Sequence, residues 1–285
     1  MMDGHSAPDP AHEKQAIEEI EIDLLLSAIA RRHDRDFREY HREHLSALIR
    51  RSLTLEGLAS ISALQGRVLH DPECAKRLLS RLVVTDTAMF RDPEFYRALR
   101  RDVIPQLRAH PSIRIWHAGC STGEEVYSLA IVLAEEGLYE RCRIYATDVH
   151  EPALKAAMSG TVARAAMPGY EANYLAAGGN GSLFDYFSSA EDRFVFREAL
   201  QRRLVFAPHN LATDGSLNEF HLVLCRNVLR YFGPTLQRRV HTLLHGSLRR
   251  FGILALGHEE PLDNEPLKGY ESFDERQRLF RRRAE

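Results

Sequence analysis

Between Ile17 and Leu82 apolar residues recur every three or four positions and do not alternate one by one. That is the period of helices that bury one face. The segment IEEIEIDLLLSAIARRH shows it most clearly, with charges opposite the apolar stripe. Three further stretches, FREYHREHLSALIRRSL, SISALQGRVL and PECAKRLLSRLV, repeat the pattern, separated by Gly57 and by the Asp71-Pro72 turn signal. A small helical domain over residues 16–84 is predicted, preceded by a disordered tail over residues 1–15. A junction peptide follows at Val84 to Arg91, and then DPEFYRALRRDVIPQLRAH reads as one helix. Asp92 is its expected N-cap and Pro93 its first residue, so residues 85–112 are assigned to a linker helix.

From Ile113 the texture changes. Short β-rich runs (IRIWHAG, RIYATDV, RRLVFAPHNL, FHLVLCRNVL, GILALGHEE) alternate with helical segments such as TGEEVYSLAIVLAEEGL and EPALKAAMSG. That rhythm predicts an α/β domain over residues 113–285 with a parallel, doubly wound sheet. Residues 161–203 fit it poorly, and their GGNGS turn and alternating RFVF predict a small inserted β-subdomain with antiparallel strands.

Composition narrows the partners. The chain has 285 residues, 44% hydrophobic and 27% charged, with a net charge of -2. No basic excess points to nucleic acid. The four cysteines, Cys74, Cys120, Cys142 and Cys225, show no zinc-type spacing, and the fourteen histidines include no paired metal motif, so no metal site is expected. No apolar run approaches the roughly 20 residues that span a bilayer. A soluble cytoplasmic protein is expected.

The most informative peptide is His117-Ala-Gly-Cys-Ser-Thr-Gly-Glu-Glu125, set between a strand and a helix. Gly119 and Gly123 permit a tight turn and close approach of a ligand to the backbone. The same glycines also suit a purely structural turn, or a site for any adenosine-containing cofactor. The loop is neither a GxGxxG fingerprint nor a P-loop, and no lysine follows to meet a phosphate. Glu124 and Glu125 instead place negative charge at the helix start, where a pyrophosphate is repelled and a cationic amino group or sulfonium is welcome. The loop therefore favours S-adenosylmethionine over NAD or ATP. Asp148, at the end of the second strand, suits both ribose hydroxyls and also a helix N-cap before Glu151-Pro152.

Five ordered peptides, VTDTAMFRDPEFY, RIWHAGCSTGEEVYSLA, IYATDV, HNL at 209–211 and LCRNVLRYF, resemble the chemotaxis receptor glutamate methyltransferases of the CheR type. The resemblance runs from about Ile20 to Arg282. It implies a class I S-adenosylmethionine methyltransferase sheet with an inserted small β-subdomain, preceded by an all-α N-terminal domain. It also implies a cofactor site. Thr85, Thr87 and Arg91 would come from the junction peptide, with Arg91 meeting the cofactor carboxylate as a charge-assisted fork. Glu124, with Glu125, would face the amino-acid end, Gly119 the loop and Asp148 the ribose. Asn210 and Leu211 would flank the adenine, and Arg226 and Asn227 would complete the pocket. The chain departs from many relatives at Thr85, where they carry Asn two residues before the junction threonine. It departs again in the GHEEP turn, and at Arg230 beside Tyr231. Outside the resemblance, Arg91 also reads as a surface arginine before a helix, Asn227 as a buried turn residue, and Tyr231 and Phe232 as core aromatics.

Glutamate is already ionised at neutral pH and a sulfonium is already activated, so no general base is expected. The protein's part is alignment and exclusion of water. Tyr231 is the candidate for positioning the acceptor carboxylate. In the family a basic helix is thought to meet an acidic receptor helix; here Arg38, Arg42, Arg50 and Arg51 are the corresponding candidates, with a solvated basic face as the alternative. The partner implied is the cytoplasmic domain of a chemoreceptor or similar helical signalling protein, with no nucleic acid, no membrane insertion, and a monomeric enzyme. The rival reading is an S-adenosylmethionine-binding signalling module of the same fold, with a non-receptor substrate or little turnover. An NAD-dependent oxidoreductase ranks third, because the acidic loop lacks dinucleotide spacing.

Overall fold

The computed structural model describes residues 10–33, 35–189, 192–216, 218–260 and 266–284. The chain divides into two compact units, Met1–Val84 with Tyr231–Leu236, and Thr85–Arg230 with Gln237–Glu285.

The first unit is built on α1 (Pro10–His33), α2 (Arg42–Glu56), α3 (Ile61–His70) and α4 (Pro72–Leu82). Their buried stripes, including Ile22, Leu26, Ile29, Leu45, Ile49, Leu64 and Leu78, form one core. The predicted breaks are made by specific caps. Gly57 ends α2, Ser60 accepts from the Ala63 amide, and Asp71 accepts from the Glu73 and Cys74 amides ahead of Pro72.

Two boundaries differ from the sequence reading. Residues 10–15, assigned to a disordered tail, are helical because Ala, Glu, Lys and Gln carry α1 back to Pro10; residues 1–9 lie outside the described residues. The helix expected from Phe37 begins only at Arg42. Phe37 is buried, Tyr40 bridges to Phe232 with rings 4.9 Å apart, and the His41 amide donates to the Tyr231 carbonyl at 2.8 Å. These contacts, with the Tyr40 amide donating to the Phe37 carbonyl at 3.0 Å across a turn, keep the segment out of the helix.

The second unit opens with α5 (Pro93–Ala98), which runs through a π-turn at Leu99–Val103 into α6 (Ile104–Arg108). Pro105 has no amide to donate, and the π-turn accommodates that gap. This segment is not a linker. Phe95, Tyr96, Leu99, Val103, Ile104 and Leu107 are buried in the core of the second unit.

The sheet strands are β1 (Ile113–Ala118), β2 (Cys142–Asp148), β6 (Leu204–Pro208), β7 (Phe220–Cys225), β8 (Leu248–Leu256), β9 (Tyr270–Asp274) and β10 (Leu279–Arg282). Their order is β6-β2-β1-β7-β8-β10-β9, parallel as far as β8 and antiparallel at β10 and β9. Helices α7 (Glu124–Glu135), α8 (Glu151–Ser159) and α11 (Pro234–Ser247) connect them. All six residues of β7 are buried, as expected of a strand covered on both faces. Strand order reverses between β1 and β7, and a doubly wound sheet binds ligands beyond the carboxyl ends of its strands at such a point.

The insertion is a three-stranded antiparallel sheet of β3 (Thr161–Ala163), β5 (Arg193–Phe196) and β4 (Phe187–Ser189). It also carries α9 (Met167–Ala176), which the sequence pattern did not reveal, and it leads through α10 (Glu198–Gln201) into β6. Asn173 of α9 donates to the Met89 carbonyl at 3.1 Å, and the Tyr174 ring lies 5.2 Å from Phe90. Among the described residues, no helix is long and apolar enough to cross a membrane.

Candidate cofactor site at the carboxyl ends of the strands

Parallel register aligns Ala118 with Thr147, Asp148 with Pro208, and His117 with Leu224. The glycine loop, Asp148, the His209–Leu211 peptide and the Arg226–Asn227 peptide therefore emerge on one sheet edge. Four non-glycine residues with positive φ gather there: Phe90 (51°), Asp92 (57°), Ser121 (49°) and Asn227 (60°). Such conformations cost energy and tend to concentrate where function constrains the backbone.

The amides of Gly119 and Cys120 both donate to the Thr147 carbonyl, at 2.8 and 2.9 Å, which folds the loop over the end of β2. Gly119 (φ +76°) and Gly123 (φ +94°) permit this for a reason internal to the protein. A Cβ on Gly119 would stand 2.5 Å from a Val228 methyl, and one on Gly123 would stand 2.9 Å from the Ala157 Cβ. Close packing of this loop against the one after β7 is thus what excludes a side chain at Gly119. Glu124 is half-buried and accepts from the Thr122 hydroxyl at 2.6 Å. Burial raises its pKa, and the Thr122 hydrogen bond opposes the rise.

Asp148 accepts from the Ser121 amide through Oδ2 and from the His150 amide through Oδ1, both at 2.8 Å. It does not occupy the N-cap of α8, where His150 stands without a side-chain cap. Two backbone bonds fix the carboxylate and leave each oxygen a free lone pair for a ribose hydroxyl.

Glu125 and Arg226, both named as cofactor ligands on the resemblance, instead bind each other at 2.6 Å. Arg226 also reaches Asp92 at 2.7 Å and lies over the Phe95 ring, 3.9 Å from its centroid. Burial by itself would raise the Glu125 pKa, but Arg226 and His117 outweigh it and hold the carboxyl at about 2. Asp92 consequently makes no side-chain cap to α5; its carboxylate is turned to Arg226. The strut ties α7, β7 and the start of α5 together through both terminal nitrogens of Arg226, while its Nε is buried with no hydrogen-bond partner among the described residues.

The remaining candidates are placed as follows. The Thr85 carbonyl accepts from the Ser121 hydroxyl at 3.2 Å, and Thr87 is half-buried. Arg91 donates to the Asp86 carbonyl at 3.2 Å, with the Asp86 carboxylate 3.6 Å away. Asn210 organises its own turn, its Oδ1 accepting from the Ala212 amide, while Leu211 is buried beside it. Asn227 Oδ1 is buried with no hydrogen-bond partner among the described residues. Tyr231 groups with the first unit, its ring 4.9 Å from that of His44. Arg38, Arg42 and Arg50 pair with Asp36, Asp23 and Glu18 at 2.7, 2.6 and 2.6 Å. Arg51 is exposed.

One residue escaped the sequence reading. Glu260, buried after β8, accepts from the Val228 amide at 2.7 Å and the Leu229 amide at 2.9 Å. Its only signal in the sequence was the unusual GHEEP turn.

An unpartnered buried acceptor at Asn227, the fixed carboxylate of Asp148, the half-buried Glu124 and the apolar side of Leu211 together suit an adenosine ligand with a cationic end. Phosphate finds no lysine or arginine in the glycine loop. Comparison with known proteins agrees. A family model described as CheR methyltransferase, SAM binding domain, matches residues 85–276. A Pseudomonas putida protein, provisionally named methyltransferase Cher3, is 43% identical over 265 residues, covering 93% of this chain and 97% of its own. Chemotaxis protein methyltransferase 1 of Pseudomonas aeruginosa is 30% identical over 231 residues, 78% of this chain and 83% of that protein. A chemotaxis protein methyltransferase of Listeria innocua is 30% identical over 188 residues, 65% and 69% of the two chains. The fold is that of a class I S-adenosylmethionine-dependent methyltransferase. More narrowly, the chain belongs to the CheR methyltransferase family.

Proposed function

We propose that this methyltransferase esterifies glutamate side chains in the cytoplasmic domain of a chemoreceptor or a related helical signalling protein. The observation that carries the reading is identity of 30% to a chemotaxis protein methyltransferase across 78% of the chain. Bound S-adenosylmethionine supplies an activated methyl group that an ionised carboxylate takes without a proton changing hands.

The residues then have binding and aligning work to do. Asp148 holds the ribose hydroxyls, and Asn210 and Leu211 flank the adenine. Glu124 and Asn227 hold the ammonium, and Arg91 turns from Asp86 to the cofactor carboxylate, assisted by Thr85 and Thr87. Gly119, Glu125 and Arg226 keep the loops in place. Tyr231 positions the acceptor carboxylate, and Arg38, Arg42, Arg50 and Arg51 meet the acidic receptor helix.

The test is incubation with methyl-labelled cofactor and candidate receptor cytoplasmic domains. Base-labile label on the receptor supports the reading. Cofactor binding without transfer to any candidate favours the rival of a signalling module with little turnover, which the existing ion pairs of Arg38, Arg42 and Arg50 recommend. Tyr231→Phe should lower the transfer rate while product affinity stays constant; full activity would remove Tyr231 from the mechanism.

A further inference from the structure

The loop after β7 carries Asn227 in a left-handed conformation, φ 60°, between the end of the strand and a short 3-10 helix at Leu229–Tyr231. Beside the packing of Val228 on Gly119 and the bond from Gln237 to the Leu229 carbonyl, one side chain holds its backbone amides. The two oxygens of Glu260 accept separately from the consecutive amides of Val228 and Leu229. Glu260 is itself fixed from two sides. Its amide donates to the Gly257 carbonyl at 3.2 Å, and its carbonyl accepts from Arg278 at 2.6 Å. Gly257 lies close enough to the loop that a Cβ there would stand 2.9 Å from the Asn227 amide nitrogen. Two amides bound by two oxygens of one carboxylate form a fork that the ionised group makes best, since a protonated oxygen is a weaker acceptor and carries a hydrogen that needs a partner of its own.

We propose that Glu260 is a positioning residue for the cofactor site: ionised, it clamps both amides and aims Asn227 at the ligand, and protonated, it releases one of them. The surroundings put this change near neutrality. Burial pushes the carboxyl up to about 7, against the Leu229 and Val228 amides and the charges of Arg226 and Arg230. The other groups facing it are Cys225 of β7 and Arg278 of the turn before β10. Cofactor affinity should therefore rise as pH rises through neutrality. The proposal rests on cofactor binding alone and not on the identity of the methyl acceptor.

The experiment measures affinity of the full chain for S-adenosylhomocysteine by calorimetry between about pH 6 and about pH 8.5. The native protein should bind roughly three- to tenfold more tightly at the upper end, the equivalent of losing about one hydrogen bond at the lower end. Glu260→Gln keeps one acceptor and sets an NH2 against the other amide. It should bind roughly tenfold more weakly at the upper end and lose the pH slope, raising KM for the cofactor with little change in kcat. Binding by Glu260→Gln within about twofold of native, or an unaltered slope, overturns the proposal. Should that variant not fold, hydrogen exchange on the native chain decides the matter. Protection of the Val228 and Leu229 amides, corrected for intrinsic exchange, should fall below neutrality, and constant protection overturns the clamp.

Discussion

Arg226 and Glu125 stand 101 residues apart in the chain and meet at 2.6 Å, with the Arg226 side chain 1% exposed and that of Glu125 7%. A pair so deeply desolvated is costly to break, because removing one partner leaves the other charge buried and uncompensated. Glu125→Gln or Arg226→Met should each destabilise the chain by roughly 3–5 kcal/mol in urea unfolding. Joining the two substitutions should cost less than the sum of the single effects. The Glu125 pKa, held at about 2 against an ordinary 4.5, adds a pH dependence of known sign. A depressed folded pKa gives stability that is present above the unfolded value and lost as pH falls from 4.5 towards 2. That loss should be about 3 kcal/mol in the native chain and absent in Glu125→Gln. Equal acid sensitivity in both proteins would contradict the assignment.

Gly119 and Val228 form a second coupled pair, since they bring the loops after β1 and β7 into contact. Gly119→Ala would force a methyl to within 2.5 Å of a Val228 methyl at φ +76°. The clash should cost roughly 1–3 kcal/mol and the left-handed backbone roughly 1–2 more. Adding Val228→Ala removes the clash and leaves only the backbone penalty. A double-mutant cycle in chemical denaturation should therefore show partial recovery. Strictly additive losses would mean that the two loops do not share this contact in solution.

Asp148 is placed by backbone amides, and its assignment to the ribose can be tested apart from its structural bonds. Asp148→Ala should weaken binding of S-adenosylhomocysteine by roughly 10- to 100-fold, the range expected for hydrogen bonds to a charged group. Part of that loss comes from leaving the Ser121 and His150 amides without acceptors. The discriminating measurement is a cycle with an analogue lacking one ribose hydroxyl. The native protein should disfavour the analogue, and Asp148→Ala should bind it as well as the parent ligand. Unchanged discrimination in the variant would detach Asp148 from the ribose.

Local signals made much of this molecule legible from its sequence. The breaks at Gly57 and Asp71-Pro72, the alternation of strand and helix from Ile113, and the glycine loop are decided by residues near one another in the chain. The strut was not legible in this way. Glu125 looks like a cofactor ligand until β7 places Arg226 beside it, and that meeting depends on strand order rather than on any neighbouring residue. For the same reason Asp92 read as a helix cap, whereas Arg226 draws its carboxylate away. Helix α9 was hidden because Met167–Ala176 interrupts a segment read only for its strands, and its anchor, Asn173 on Met89, crosses between distant peptides. Glu260 is an ordinary surface-type residue by composition, and only its burial against two amides reveals its task.

The receptor-facing arginines give the last prediction, which bears on the proposed acceptor. Arg42 and Arg50 on α2 are engaged by Asp23 and Glu18 of α1, and Arg51 makes no ion pair among the described residues. Exposed pairs of this kind are worth about 1 kcal/mol or less, so they exchange readily for an external carboxylate. If α2 meets an acidic receptor helix, Glu18→Gln and Asp23→Asn should raise kcat/KM for the receptor by releasing Arg50 and Arg42. Arg51→Glu should lower it, each change being roughly three- to tenfold at low salt and fading at high ionic strength. The effect should fall on KM for the receptor, leaving kcat and cofactor affinity unaltered, because none of the three residues belongs to the proposed cofactor site. Steady-state methylation at several salt concentrations reads all of these quantities. A receptor kcat/KM that ignores all three substitutions would place the receptor on another surface.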